Sequence, residues 1–194
     1  MKSIRVIIFL LSIIMLQACN KNVAQMQVPE KEVTIQSYED KRGRVNLIGE
    51  VNKAALLEAP YNGWFQTFDQ YNPNPEMIDA IKKPIQEYDI EAFFGTWCGD
   101  SKRDVPRFYK ILEAAEYDLN RLEIIAVGNE GSLYKKSPDG QEVGKDITNV
   151  PTFIFYKDGV EVNRIVENKV GKSLEEDVMK IVTGEEYKHK YADF

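Results

Sequence analysis

Along the chain, apolar and polar positions alternate in blocks that change period several times. Val6 to Leu16 is apolar apart from Ser12. Asn20 to Glu32 is polar, rich in Asn, Gln and Lys, with Pro29. Val33-Thr34-Ile35 has strand composition, Tyr38 to Arg44 reads as a charged turn containing Gly43, and Val45 to Val51 as a second strand. Asn52 is placed to cap a short helix over Lys53 to Glu58, which Pro60 ends. Tyr61, Trp64, Phe65, Phe68 and Tyr71 then recur at helical spacing, and such stripes usually face a core. Asn74 as cap, with Pro75 in the first helical position, opens another helix to about Lys83.

The second half is more regular. Tyr88 to Phe94 reads as a buried strand. Gly99 to Tyr117 reads as a long helix with Val105, Phe108, Ile111, Leu112 and Ala115 on one face, kinked at Pro106. Leu122 to Val127 is a further strand. Gly128 to Thr148 is polar and irregular, with a turn at Ser137-Pro138-Asp139-Gly140. Thr152 to Tyr156 and Val160 to Val166 form a hairpin about Asp158-Gly159. Ser173 and Glu176 form a capping box for a last helix to about Val182. Strand, long helix, strand, connection, hairpin and helix predict an α/β fold: a mixed central sheet with helices on both faces.

The first block reads as a targeting segment. Lys2 and Arg5 precede an apolar run too short for a comfortable membrane span and right for a signal-peptide core. Leu16-Gln17-Ala18-Cys19 then resembles the bacterial lipoprotein box. That resemblance implies cleavage before Cys19, lipidation of Cys19, residues 20–32 as a tether, and a periplasm-facing, lipid-anchored protein in the envelope of a Gram-negative bacterium. An ordinary cleaved signal or a short anchor is the alternative. The formal charge of −6 argues against a nucleic-acid partner.

The chemistry concentrates in Gly95-Thr96-Trp97-Cys98-Gly99-Asp100-Ser101-Lys102-Arg103-Asp104. Cys98 falls where a strand turns into a helix. Unpaired N–H groups and the positive end of the helix dipole favour a thiolate there, and the thiolate is the nucleophile. Lys102 and Arg103 add positive charge and Asp100 opposes them. Ser101 stands where a second cysteine would complete C-x-x-C, one helical turn on, and is expected to donate its hydroxyl proton to the sulfur anion. With Cys19 acylated, Cys98 has no internal partner. One histidine, His189, and one free thiol make no structural zinc site, and no phosphate-binding or dinucleotide glycine pattern occurs, so no metal and no cofactor are expected.

Trp97-Cys98-Gly99-Asp100-Ser101-Lys102, Pro106 eight residues after the cysteine, and Val150-Pro151-Thr152-Phe153 before the Lys157-Asp158-Gly159 turn together resemble a thioredoxin-fold protein. The resemblance spans roughly residues 84–183, leaving 33–83 as an N-terminal extension packed on the domain and 184–194 as a tail. It implies that Cys98 attacks disulfides, that Trp97 shields it and contacts substrate, and that Pro151 is cis beside Cys98. It further implies that Val150 pairs its backbone with an extended substrate chain. Two departures stand out: Ser101 for the second thiol, and Ala92 where thioredoxins bury an acid, with Glu91 directed to the other face of the strand. The expected activity is therefore isomerase or monothiol-reductase chemistry on protein disulfides, with an external thiol as resolving partner. The alternative is a non-catalytic module that binds a protein partner. Cys-Gly-Asp-Ser also shares its spacing with monothiol glutaredoxins, which Trp97 and the apparent export argue against; a peroxidatic role for the thiol stays open.

Overall fold

The computed structural model describes residues 33–167 and 169–192. The signal segment, the tether and Cys19 lie outside the described residues. Six strands form one sheet in the order β1-β2-β4-β3-β5-β6: β1 Gln36–Glu39, β2 Val45–Val51, β3 Asp89–Phe94, β4 Leu122–Ala126, β5 Thr152–Lys157 and β6 Val160–Val166. Among the described residues five α-helices accompany it: α1 Lys53–Leu57, α2 Gly63–Thr67, α3 Pro75–Lys82, α4 Gly99–Ala114 and α5 Leu174–Thr183.

β3 and β4 are parallel and joined through α4. β5 runs antiparallel to β3, and β6 antiparallel to β5. This mixed α/β arrangement is the thioredoxin-like fold expected of the second half of the chain. Asp158 and Gly159 both have positive φ, the paired left-handed turn that matches the twist of a two-residue hairpin.

The extension does more than pack on the domain. β2 pairs antiparallel with β4, and β1 with β2, so residues 36–51 enlarge the sheet at one edge. The first strand lies at Gln36–Glu39, later than the Val33-Thr34-Ile35 run predicts. The turn decides this. The Asp40 carboxylate accepts the backbone N–H groups of Arg42 and Arg44, Gly43 N–H donates to Asp40 O, and the closed turn fixes Glu39 opposite Val45. Backbone pairing thus recruits polar residues to an edge strand while Ile35 stays 42% exposed.

Strand periodicity splits the core in two. Leu47, Val51, Ile90, Ala92, Phe94, Ile124, Ala126, Phe153, Phe155 and Ile165 share one cluster with buried residues from all five α-helices. Phe108 of α4 stacks on Phe153 with ring centroids 4.1 Å apart. Phe93, Ile125, Val127 and Ile154 face the other way and form a second cluster with Ile147 and Val150. The α-helices thus cover the first face, and the 127–151 connection, with a single 3-10 turn at Gly131–Leu133, covers the second. Polar, turn-rich sequence in that connection leaves it without a helical apolar stripe, so the expected helix on this face is replaced by a loop.

The aromatic stripe docks the extension. Phe65 lies 5.8 Å from Tyr109, and the Arg107 guanidinium sits 4.8 Å from the Phe68 ring and 5.4 Å from that of Tyr71. Tyr71 donates its hydroxyl proton to Glu175 across 2.6 Å, and Asn74 N–H donates to the same carboxylate. Asn52 and Asn74 cap α1 and α3 as predicted. At α5, Ser173 Oγ accepts Glu176 N–H, but the returning bond goes from Lys172 N–H to the Glu176 carboxylate, one residue before the cap.

Candidate functional site

The sheet delivers the cysteine-bearing stretch at the carboxyl end of β3. A tight turn closed by Cys98 N–H to Gly95 O places Cys98 as the N-cap residue of α4, with its carbonyl accepting Lys102 N–H. Gly95 is required by close approach. A Cβ there would lie 2.5 Å from Cε2 of Trp97, whose ring folds back across the turn and donates Nε1–H to Val127 O at 2.8 Å. Trp97 and Cys98 are half-buried and pack on the second core cluster.

Across the groove, the Val150–Pro151 peptide is cis. Cys98 donates its S–H to Val150 O at 3.2 Å, so thiol and proline loop are in direct contact. The loop is pinned by Thr152 Oγ1 donating to Asn149 O and by Glu167 N–H donating to Pro151 O. Among the described residues Val150 N–H has no hydrogen-bond partner. Cys98, Trp97, Val150 and Pro151 are therefore brought together.

Ser101 has a task that the sequence does not signal. It is wholly buried, and its Oγ accepts Gly95 N–H at 3.1 Å. It braces the turn from beneath, while the thiol's own partner is Val150 O. The nearby cations are also placed otherwise. Arg103 is held by Asp100 and Asp104, and Lys102 extends over the Trp64 ring at 5.7 Å. Ala92 is buried in the first cluster, so no acid lies beneath the turn at that position. Glu91, on the opposite face, accepts from Lys145 and from the Tyr156 hydroxyl. Burial, reinforced by Glu91, holds that phenol protonated well beyond the ordinary tyrosine range.

One contributor has no local signal in the sequence. Thr96, 3% exposed, accepts Leu47 N–H at 3.1 Å and donates to Asn46 Oδ1 at 3.1 Å. Asn46 in turn donates to Arg44 O and to the Asp40 carboxylate. Arg44, by its side-chain hydrogen bond first, holds that carboxylate well below the usual range against its partial desolvation. A chain of polar contacts thus ties the extension to the residue before Trp97. Its partners lie about fifty positions away, and nothing local in the sequence signals them. Among the described residues no group of three or more His, Cys, Asp or Glu side chains is placed to hold a metal ion.

The chain is similar to a thioredoxin. It shares 35% identity over 81 residues with Thioredoxin-2 of Saccharomyces cerevisiae, a stretch covering 40% of this chain and 64% of that protein. It therefore spans a little less than two thirds of the curated relative's length. No family model matches the chain. Among solved structures, a protein of unknown function from Pseudomonas aeruginosa aligns with 71% of this chain and 93% of its own at 16% identity and a TM-score of 0.49. A yeast mitochondrial 1-Cys peroxiredoxin aligns with 48% of this chain and 76% of its own at 26% identity and a TM-score of 0.31. Both scores are low, and the fold rests on strand order and connections.

Proposed function

We propose that the chain performs thiol–disulfide exchange through Cys98 alone, on protein disulfides, in the bacterial cell envelope, where acylated Cys19 tethers it to a membrane. The observation that carries the reading is the contact of the Cys98 thiol with the carbonyl before a cis proline, at a helix start, with a buried serine in the second thiol's place. The similarity to a thioredoxin supports redox chemistry in general; the one-thiol mechanism comes from the residues.

The chemistry balances without a cofactor. The Cys98 thiolate attacks one sulfur of a substrate disulfide. A Cys98–substrate disulfide forms, the substrate S–S bond breaks, and the leaving sulfur departs as a thiolate that takes a proton from water. A second thiol, on the same substrate or a small external one, then attacks the substrate sulfur of the adduct and returns Cys98 as thiolate. In the first case the net result is isomerisation. In the second, the external thiol stays disulfide-bonded to the substrate until a further thiol completes its reduction. Val150 supports the docking step: its free N–H, together with a carbonyl now engaged by Cys98, offers an added strand two backbone partners.

The test uses a protein with scrambled disulfides and a limiting small thiol. Recovery of native pairing faster with the chain than with its Cys98→Ala variant is the expected result. Equal recovery would leave the groove as a binding module. For the tether, Cys19→Ala should lose lipidation and membrane association; a variant that remained membrane-bound and uncleaved would make the first segment a plain anchor.

A further inference from the structure

A second groove includes two residues of the reactive turn, Thr96 and Trp97. It encloses about 310 Å³ and lies between the extension and α4, lined by Asn46, Pro60, Tyr61, Trp64, Thr96, Trp97 and Lys102, with Arg44 and Val45 at its edge. Aromatic side chains line it: Tyr61 and Trp64 meet edge-to-face with centroids 5.7 Å apart, and Trp97, the residue before Cys98, is the third. The floor is already satisfied, since Thr96 and Asn46 bond each other and the β2 backbone. The charge is not balanced in the same way. Arg44 is paired with Asp40, whereas Lys102 has no carboxylate partner among the described residues, and its ammonium rests only over the Trp64 ring.

Lys102 lies four residues after Cys98 in the chain, and its amide bonds the Cys98 carbonyl. Trp97 and Lys102, which flank Cys98 in the chain, thus both line the groove. We infer that it is a specificity subsite for the polypeptide disulfide-bonded to Cys98, and that it takes an acidic side chain whose carboxylate meets Lys102 while its methylenes lie against Trp64 and Trp97. Charge complementarity and continuity with the reactive turn select this occupant. A neutral polar side chain leaves the ammonium unpaired, and a basic one opposes it. The inference rests on the exchange reading of Cys98 and adds its substrate preference.

The experiment compares peptides activated as mixed disulfides and identical except for one Glu, Gln or Lys, moved through successive positions on either side of the peptide cysteine. The readout is the second-order rate of adduct formation on Cys98 of the full chain. At the position that reaches the groove, Glu should react about three- to fivefold faster than Gln, the range set by a partly exposed ion pair, and Lys slower than Gln. Raising the salt concentration should shrink the preference. Lys102→Gln should erase the Glu-to-Gln ratio and Lys102→Arg should restore it. The ratio is decisive because Lys102 shares a helix with Cys98, and an effect on the sulfur itself would move all three rates together. Adducts forming at equal rates on every peptide overturn the subsite alone. No adduct on any peptide overturns the exchange reading and the subsite with it.

Discussion

Thr96 Oγ1 and Asn46 Oδ1 meet at 3.1 Å across fifty positions of sequence, and the same hydroxyl accepts Leu47 N–H. A buried pair of bonds on one side chain couples the added β-hairpin to the turn that carries the thiol. Thr96→Val keeps the shape and removes both bonds. It leaves Leu47 N–H without a partner and should cost about 1–3 kcal/mol, measured by urea unfolding. Thr96→Ser, which keeps the hydroxyl, should recover most of that loss. Equal stability of the valine variant would show that the hairpin and turn are not coupled through this contact.

Glu175 makes the extension's hold on α5 dependent on pH. Burial raises its pKa, but hydrogen bonds from Tyr71, from its own backbone and from Asn74 together outweigh that, and the net shift is downward. A depressed folded-state pKa stabilises the fold above the unfolded carboxyl value, and the contribution is lost as pH falls through the folded value. The stability gap between the native chain and Tyr71→Phe should therefore be full at neutral pH and close in the acid range below the ordinary glutamate pKa. Unfolding midpoints taken across that range check it; a gap that does not change with pH contradicts it.

The stacked Phe108–Phe153 pair sits at the centre of the helical face, and both rings are buried. Phe108→Ala removes the ring and leaves a cavity between α4 and β5. A loss of about 3–5 kcal/mol is expected. A loss below about 1 kcal/mol would mean that the site collapses freely.

Ser101→Cys tests the missing thiol directly. The position is wholly buried and now braces Gly95 N–H, and a thiol is a weaker acceptor than a hydroxyl, so modest destabilisation is expected. Its chemical effect should be large. A resolving thiol one turn from Cys98 should shorten the life of a Cys98–substrate adduct and leave an internal disulfide, visible in the intact mass after trapping with an alkylating reagent. Adducts of unchanged lifetime would mean that the second sulfur cannot reach the first.

Much of this fold can be read in the chain because local signals agreed with the tertiary outcome. Apolar content bounds Val45–Val51, capping chemistry marks Asn52 and Asn74, and Asp158-Gly159 marks the β5–β6 hairpin. β1 lies later than its apolar run because an edge strand needs backbone partners more than apolar side chains, and a turn sets its register. The same limit applies within the site. Trp97, Cys98, Val150 and Pro151 belong to two recognisable motifs, and the fold brings those motifs together. The bond that Ser101 accepts from Gly95 N–H depends on how the turn folds back over the helix start, and Thr96 depends on a strand outside the resemblance. Neither distance is written in composition or periodicity.

The most direct test of the account is the fate of the adduct on Cys98. The full chain is mixed with a peptide activated as a mixed disulfide whose leaving group does not attack back, with no other thiol present, and products are followed by intact mass and mapped by digestion. A one-to-one mixed disulfide on Cys98 is expected, absent from Cys98→Ser, that persists until an external thiol is added and is then released. Failure of Cys98 to form the adduct, or its release with no thiol supplied, would contradict it.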